Sequence, residues 1–378
     1  MDSPSSRRLT FAAQCLLVAW LVFLVVGHVS VWRQGADFVS FWSAGRFVIE
    51  GRAAEAYDAV RLVDWQHAHG FDGAYPYLAP PPFLLMAAPL GLLTYPVALA
   101  VWIAAGYAAH AMSLRWAPRA VYWPAVAFPG ALLAAMAGQS SLFLSALMCA
   151  AVGALPGRQA LSGALIGLMV LKPQLALLTP VALAAAGAWR AFLVAGLVAA
   201  GSVALSVAIL GEAPMSAFLA SSEYLNGLYA RPELLPKIKS VYGALTLAGA
   251  PAALALTGQA IAFVFAAYVV WRVWRRSGDT LTRGAVLAAA TPLAPPYIQL
   301  YDLVFLALPT AWLIHEGLRR PFGRLGWALT GLAFFLPIAA LAAPLTWPVA
   351  PVWSLALSLA VLWLAERHAV GAVATGEV

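Results

Sequence analysis

Charged residues inside long apolar segments are the features of this sequence that point most directly to chemistry. Lys172 lies within the apolar segment 160–188, and Asp302 lies in a second apolar segment that is rich in proline. A charged side chain in the membrane costs about 3 kcal/mol or more, so such residues usually line a cavity or bind a ligand. The ammonium of Lys172 could therefore bind a phosphate. Two structural alternatives are that Lys172 extends to the membrane interface and that Asp302 serves only to pair with Lys172.

Asp37 begins a short pattern of polar and apolar residues that follows the first apolar segment. Phe38, Phe41 and Trp42 recur near helical spacing, which predicts an amphipathic helix at the membrane interface. A carboxylate at this position could act as a general base, because partial desolvation raises a carboxylate pKa towards its working range. The structural alternative is that Asp37 caps the helix, and one residue can fill both roles.

Polar and aromatic residues at two further places could contact a substrate. Gln139 and Ser140 interrupt two apolar segments, and their side chains could hydrogen-bond a sugar or link neighbouring helices. Tyr75 and Tyr77 are followed by three prolines at positions 80–82. This aromatic and proline wall suits a sugar ring or an apolar chain, and it equally suits packing.

The sequence contains no motif for a metal ion or a nucleotide. His67 and His69 lie near Asp64, but a His-x-His pair in a helix points its rings apart, and no third ligand is evident. Phosphate-binding loops, dinucleotide fingerprints and serine-hydrolase elbows are absent. The two cysteines, Cys15 and Cys149, both lie in apolar segments and exclude a disulfide framework and a zinc-binding spacing. We therefore expect no cofactor.

The composition predicts that these residues are held by membrane helices. The 378 residues are 63% hydrophobic and 10% charged, with a mean hydropathy of +0.84, whereas soluble domains are about a quarter charged. Apolar runs of the roughly 20 residues that a span requires recur along the chain. The first, residues 11–31, is longer than the core of a cleaved signal peptide and lacks an Ala-x-Ala site, so we expect a retained span. The pI of 9.6 does not indicate nucleic-acid binding, because the basic residues are scattered between apolar segments.

The arginines predict the orientation of the helices, because basic residues near the ends of spans mark the cytoplasmic side. If the clustered arginines are cytoplasmic, the segments around Gln139, Lys172 and Tyr301 form hairpin tips on the opposite side. The loops 33–80 and 211–240 lie on that extracytoplasmic side too. The clustered arginines are Arg7, Arg8, Arg115, Arg119, Arg158, Arg190, Arg272, Arg275, Arg276, Arg283, Arg319, Arg320, Arg324 and Arg367.

Together these patterns predict an all-α polytopic integral membrane protein. Residues 1–378 are expected to form one domain with about 10–13 membrane helices. The first extracytoplasmic loop is long and carries interfacial helices. If the proline-rich residues 77–94 crossed the membrane fully, Arg115 would lie on the wrong side. We therefore expect either that this segment is partly re-entrant or that one arm of a later hairpin is incomplete.

An ordered set of short motifs over roughly residues 10–365 resembles glycosyltransferase family 87. Each motif is unspecific, but their order along the chain is more specific. The motifs are Ala36-Asp37-Phe38, Phe41-Trp42-Ser43-Ala44-Gly45-Arg46, Glu50-Gly51, Tyr57-Asp58, Tyr75-Pro76-Tyr77, Pro81-Pro82-Phe83, Pro89-Leu90, Gly138-Gln139, Lys172-Pro173-Gln174, Pro296-Tyr297, Tyr301-Asp302-Leu303 and Leu308-Pro309.

The resemblance implies a GT-C fold and a multi-pass enzyme of the cell inner (plasma) membrane, with an active site that faces the extracytoplasmic side. The donor would be a polyprenyl-phosphate sugar, often mannose, and the acceptor a hydroxyl of a lipid or glycan. No nucleotide or metal is required. Asp37 would be the catalytic base in an inverting transfer, and Lys172 would stabilise the departing phosphate. The other donor-binding candidates are Gln174, Tyr301 and Asp302, and the substrate-binding candidates are Trp42, Arg46, Tyr75, Tyr77, Gln139 and Ser140.

The resemblance has one departure, and other function classes stay open. Some family members carry histidines where this sequence has Tyr301-Asp302, so the contacts to the donor phosphate differ. Related enzymes also transfer arabinofuranose, so the resemblance does not fix the sugar. A transporter or lipid flippase would show paired half-repeats, which are not evident here. A non-catalytic scaffold would leave Lys172 and Asp302 unexplained. Membrane lipids are the remaining expected partners.

Overall fold

A computed structural model describes residues 4–30, 37–229, 235–320 and 322–342, together with residues 351, 352, 355–357, 359, 360 and 363. Within these residues every regular element is a helix. The α-helices are α1 (Pro4–Ser30), α2 (Phe38–Ile49), α3 (Ala59–Ala68), α4 (Pro81–Gly91), α5 (Tyr95–Ser113), α6 (Arg119–Val126), α7 (Pro129–Met136), α8 (Ser141–Ala154), α9 (Gln159–Gly167), α10 (Thr179–Ala185), α11 (Trp189–Leu210), α12 (Ala213–Tyr229), α13 (Val241–Leu247), α14 (Ala252–Arg276), α15 (Thr280–Ala290), α16 (Ala307–Arg319) and α17 (Arg324–Ala342). Short 3₁₀ segments cover Ala53–Tyr57, Leu168–Leu171, Pro173–Ala176, Leu235–Lys237, Thr291–Leu293 and Leu300–Leu306.

Long apolar helices confirm the prediction of an all-α polytopic membrane protein. In the described part of the chain, five helical segments are long and apolar enough to cross a membrane: Pro4–Val26, Tyr95–Ser113, Arg119–Ala137, Trp189–Leu210 and Ala252–Arg276. Six shorter apolar helices lie between them or follow them. The total of about 10–13 membrane helices stays a prediction.

The segment 77–94 contains α4, which begins directly after Pro80. Its 11 residues extend about 16 Å at 1.5 Å per residue, or roughly half of a 30 Å hydrocarbon core. Helix α4 is therefore too short to cross a membrane alone. This length agrees with a partly re-entrant segment.

Helix α2 forms where the sequence predicts it, but protein surrounds it. Phe38, Phe47 and Ala44 have no exposed surface, and every residue from 38 to 45 is buried. Gly45 lies directly against α4, since a Cβ atom at Gly45 would lie 2.2 Å from the carbonyl oxygen of Ala87. The interfacial position of this helix stays a prediction. Ser40 and Ser43 are buried against the protein, whereas Arg46 and Glu50 at the end of the helix keep 40% and 32% of their side-chain exposure.

Two hydrophobic cores result from this packing. The smaller core encloses α2 and joins the first loop to α4 and α5, with Leu62, Tyr77 and Phe83 among its buried members. The larger core lies among the helices from α6 to α17 and includes the fully buried Trp274 and Trp312. The interruptions of the helices at residues 138–140, at 172 and at 299–301 lie next to a cavity beside the smaller core.

Candidate functional site

A cavity of about 240 Å³ brings together residues from distant parts of the chain. It lies between the first loop, the three helix interruptions and the 3₁₀ turn Leu235–Lys237. Seven of the residues selected from the sequence line it: Asp37, Tyr75, Gln139, Ser140, Lys172, Gln174 and Tyr301. The cavity therefore holds a carboxylate, an ammonium and several neutral polar groups beside an apolar wall.

Asp37 occupies the position before the first residue of α2 and makes no side-chain hydrogen bond that caps the helix. The alternative in which the carboxylate serves as the cap is therefore wrong. Its Oδ2 atom accepts a hydrogen bond of 2.9 Å from Nε2 of Gln139. Burial raises the pKa of Asp37 above its ordinary 3.8, whereas the Gln139 hydrogen bond and the charges of Lys237 and Lys172 lower it. The carboxylate of Asp302 opposes them with a small upward effect on this pKa.

The turn after α7 fixes Gln139 in place. Gly138 has φ +64°, a left-handed conformation that favours glycine. The backbone N–H of Gln139 donates to the carbonyl of Ala134 at 3.1 Å, and the indole of Trp102 donates to the carbonyl of Gly138 at 2.9 Å. A Cβ atom at residue 138 would lie 2.6 Å from Cβ of Phe38. The turn therefore packs against the start of α2 and points the amide of Gln139 at Asp37.

Lys172 stands at a break between two helical segments. Its backbone is extended, with φ −151° and ψ 73°, and Pro173 follows it. The Nζ atom lies 2.6 Å from Oδ1 of Asp302 and 4.8 Å from the ring centre of Tyr301. The side chain retains 15% of its exposure and lines the cavity. The ammonium of Lys172 is thus held by a carboxylate and an aromatic ring.

Asp302 does not line the cavity, and its side chain is only 1% exposed. Besides the Lys172 contact, its Oδ1 accepts a hydrogen bond of 2.6 Å from the hydroxyl of Ser141. Its Oδ2 accepts a hydrogen bond of 3.1 Å from the backbone N–H of Gln299. Three donors around one buried carboxylate satisfy its hydrogen-bonding capacity. The direct donor contact expected for Asp302 is therefore not available, because the side chain is enclosed. The pairing alternative describes its geometry.

Residues 77–296, which are more than half of the chain, match the family model of glycosyltransferase family 87. The chain belongs to glycosyltransferase family 87. Neither the curated proteins nor the solved structures gave a match. The resemblance seen in the motifs is thereby confirmed, and the protein is a membrane glycosyltransferase.

The matched region of this glycosyltransferase covers only part of the cavity. Gln139 and Lys172 lie inside residues 77–296, whereas Asp37 precedes the matched region and Tyr301 follows it. The family match therefore does not by itself assign a role to Asp37. What places Asp37 at the cavity is the contact between the start of α2 and the Gly138 turn.

Three substrate-binding candidates of the glycosyltransferase lie away from the cavity. The indole of Trp42 donates 2.9 Å to the carbonyl of Leu93 within an aromatic cluster. Arg46 donates 3.2 Å to the carbonyl of Gly91 and pairs with Glu50 on the surface. Tyr77 is 2% exposed and packs edge-on against another tyrosine. These geometries correct the expectation that the three side chains line the cavity, because Trp42 and Tyr77 pack in the core around α2 and Arg46 binds Gly91 and Glu50.

Other cavity residues of the glycosyltransferase were not selected from the sequence. Lys237 and Gln299 add an ammonium and an amide, and Ser40 adds a hydroxyl that donates 3.0 Å to the carbonyl of Pro76. The apolar wall consists of Phe41, Leu78, Ala79, Pro80 and Leu171. Only Lys237 carried a usable sequence signal, since lysine is rare in this chain. Within the described residues, no group of three histidine, cysteine, aspartate or glutamate side chains could hold a metal ion.

Proposed function

We propose that this glycosyltransferase transfers a hexose, with mannose as the first candidate, from a polyprenyl-phosphate donor to a hydroxyl of a lipid or glycan acceptor. The observation that carries the proposal is the placement of Asp37 and Lys172 around one cavity. A carboxylate can accept a proton there, and an ammonium can stabilise a phosphate. Both groups are needed when a hydroxyl replaces a phosphate at a sugar carbon.

In the proposed step, Asp37 accepts the proton of the acceptor hydroxyl while that oxygen forms a bond to the anomeric carbon. The bond between the anomeric carbon and the phosphate oxygen breaks, and the phosphate leaves with the bonding electron pair. Attack from the side opposite the phosphate inverts the configuration. Gln139 holds one carboxylate oxygen of Asp37, and within the described residues the other oxygen has no hydrogen bond. This second oxygen is the one that we assign to the acceptor proton.

Desolvation of Asp37 supports the role of a base. Because burial raises the pKa of this carboxyl, it is a stronger base than an ordinary aspartate, while the hydrogen bond from Gln139 and the charges of Lys237 and Lys172 favour its ionised form. The carboxylate that accepts the proton becomes neutral, and burial favours that neutral form. Burial of Asp37 therefore favours the transfer of a proton to its carboxylate.

The lining of the cavity supports a lipid-linked sugar as the donor. Leu78, Ala79, Pro80 and Leu171 offer apolar contacts to a polyprenyl chain, and the amides of Gln139 and Gln174 offer hydrogen bonds to a sugar. The pairing of apolar and polar walls in one cavity suits a ligand that is itself apolar at one end and polar at the other.

We propose further that the cavity opens to the extracytoplasmic side of the plasma membrane. The argument is the distribution of arginines, since Arg158 and Arg190 flank the segment whose interruption carries Lys172. A single cysteine placed beside Arg158 should react with a membrane-impermeant maleimide only after the membrane is opened. Labelling of that cysteine in intact cells would reverse the orientation.

The transfer itself is tested with purified protein in nanodiscs, radiolabelled polyprenyl-phosphate mannose and a membrane lipid extract as acceptor. Asp37→Asn keeps the shape of the side chain and an oxygen for the Gln139 hydrogen bond, so it should fold and lose about 100- to 10,000-fold in rate. Asp58→Asn is the matched control, because Asp58 caps α3 in the same loop and asparagine caps equally well.

Three outcomes decide the proposal. Transfer by wild type and Asp58→Asn, but not by Asp37→Asn, supports both the reaction and the base. Full activity in a folded Asp37→Asn protein would exclude Asp37 as the base. If folded wild type transfers no sugar from any polyprenyl-phosphate donor, the donor class is wrong, and a transport function becomes the hypothesis to test.

A further inference from the structure

Lysine is confined to one part of this molecule. The chain has 19 arginines but only three lysines, Lys172, Lys237 and Lys239. Lys172 and Lys237 line the cavity although 65 positions separate them in the sequence, and Lys239 follows two residues later. Arginine and lysine differ in their binding of phosphate: arginine is a rigid fork, whereas lysine is a compact charge on a flexible stem. The location of the lysines therefore points to a function at the cavity.

Hydrogen bonds connect the backbone next to Lys237 with the segment that precedes Gln299 in the cavity wall. The N–H of Lys239 donates 2.6 Å to the carbonyl of Ile298, and the hydroxyl of Ser240 donates to the carbonyl of Pro296. Residues 299 and 301, which come directly after this contact, line the same cavity. The 3₁₀ turn that ends at Lys237 is thus held beside Gln299 by neighbouring hydrogen bonds.

The three ammonium groups have different surroundings. Lys172 is paired with the buried carboxylate of Asp302, so its charge is already balanced. Lys239 is 7% exposed and donates 2.8 Å to the carbonyl of Pro236. Lys237 is exposed, and among the ion pairs and hydrogen bonds of the described residues none involves its side chain. Its ammonium is therefore available to a ligand in the cavity.

We propose that Lys237 binds the phosphate of the lipid-linked donor and balances the negative charge that grows on that phosphate as the sugar leaves. This inference rests on the proposed function and deepens it. The donor phosphate is a diester with one negative charge, and rupture of its bond to the sugar leaves a monoester that gains a second. The proton of the acceptor goes to Asp37, so it cannot neutralise that charge.

Lys172 and Lys237 have different roles because their side chains have different partners. Lys172 is fixed by Asp302 and the Tyr301 ring, so it orients the phosphate without adding net charge to the cavity. Lys237 supplies a positive charge that no ion pair of the described residues balances, and its flexible side chain can follow the phosphate as the bond to the sugar lengthens. An interaction that strengthens as charge develops raises kcat as well as donor affinity.

The kinetic test compares Lys237→Gln and Lys237→Arg with wild type in the nanodisc transfer assay. Loss of a charge-assisted contact should lower kcat/KM for the donor by about 10- to 100-fold, and arginine should restore most of it. The KM of the acceptor should stay unchanged. Arg61→Gln is the control, because it removes one exposed basic charge of the first loop outside the cavity. Unchanged donor kinetics in Lys237→Gln, with an active wild type, would overturn the proposal.

A second test needs no sugar transfer. Amine acetylation followed by peptide mass spectrometry should modify Lys237 faster than Lys172 and Lys239, which are less exposed. A short-chain polyprenyl phosphate should protect Lys237, whereas the corresponding polyprenol should not. Equal protection by polyprenol, equal protection by inorganic phosphate at the same concentration, or no protection at all would each contradict a lipid-phosphate site. Protection without transfer by wild type would leave this site standing and overturn the proposed reaction.

Discussion

Lys172 and Asp302 meet at 2.6 Å between Nζ and Oδ1 across 130 positions of the sequence. The contact joins the break between α9 and α10 to the 3₁₀ segment Leu300–Leu306. Neither charge alone would be stable in an apolar environment, and together they fix the ammonium at the edge of the cavity. The pair therefore explains how a lysine within an apolar segment can be held without being buried beyond the reach of a ligand.

We expect Asp302→Asn to destabilise the protein and weaken donor binding. Removal of one partner of a buried ion pair costs about 3–5 kcal/mol, and the 15% exposure of Lys172 places the cost towards the lower end. Thermal unfolding in detergent should show a lower Tm. The double variant Lys172→Met with Asp302→Asn should regain part of the loss, because no uncompensated ammonium remains. Equal losses in the single and double variants would show that the uncompensated ammonium of Lys172 is not the cause of the destabilisation.

Gln139 should tune the basicity of Asp37. Its hydrogen bond to Oδ2 lowers the pKa of the Asp37 carboxyl, so Gln139→Leu should raise that pKa. The acid limb of the profile of kcat/KM against pH should then move to higher pH. Gln174→Leu removes a second amide from the cavity without touching Asp37 and should leave the position of the limb unchanged. Coincident limbs in wild type and Gln139→Leu would contradict the prediction.

The acid limb of the pH profile of activity should reflect the raised pKa of the buried Asp37. The base must be ionised, so kcat/KM should fall as pH decreases through the pKa of Asp37. Burial raises this pKa above 3.8, and Asp302 acts in the same direction, whereas Gln139, Lys237 and Lys172 lower it. We therefore expect an acid limb above the range of an exposed aspartate. A limb at or below pH 3.8 would exclude Asp37 as the titrating group.

The carboxylate of Asp37 should lower the stability of the folded protein at neutral pH. When the folded pKa of an acid exceeds its unfolded value, the native state holds a proton that the unfolded state releases. Stability then decreases as pH rises from the unfolded pKa through the folded pKa. Asp37→Asn should consequently have a higher Tm than wild type at pH 7, with a difference that shrinks towards pH 4. A Tm below that of wild type at pH 7 would show that the carboxylate is structurally required.

The contact of α2 with α4 should be sensitive to a single methyl group. A Cβ atom at Gly45 would lie 2.2 Å from a backbone oxygen of α4, which cannot move as a side chain can. We expect Gly45→Ala to lower stability by about 1–3 kcal/mol and to reduce activity by displacing Asp37. Gly196→Ala is the matched control, because that glycine lies inside α11 with no heavy atom within 4 Å of the added carbon. The control should keep the Tm and activity of wild type.

The membrane class and the principal charged residues could be predicted from the sequence, because both depend on local pattern. Long apolar runs form helices in lipid, where every backbone group must be hydrogen-bonded internally. A lysine inside such a run is conspicuous because of its cost, so Lys172 could be selected without any knowledge of packing. Asp37 followed from its position before an apolar pattern, and the helix Phe38–Ile49 lies where that pattern predicts it.

Only the tertiary structure decided which residues meet. The hydrogen bond from Gln139 to Asp37 spans 102 positions, and the pair of Lys172 and Asp302 spans 130. Aromatic residues such as Trp42 can line a site or fill a core, and their burial depends on what other segments cover. Helical periodicity describes neighbours within three or four residues. Contacts between distant segments depend instead on how helices cross, which is why Lys237 became a candidate only when its turn was found beside the cavity.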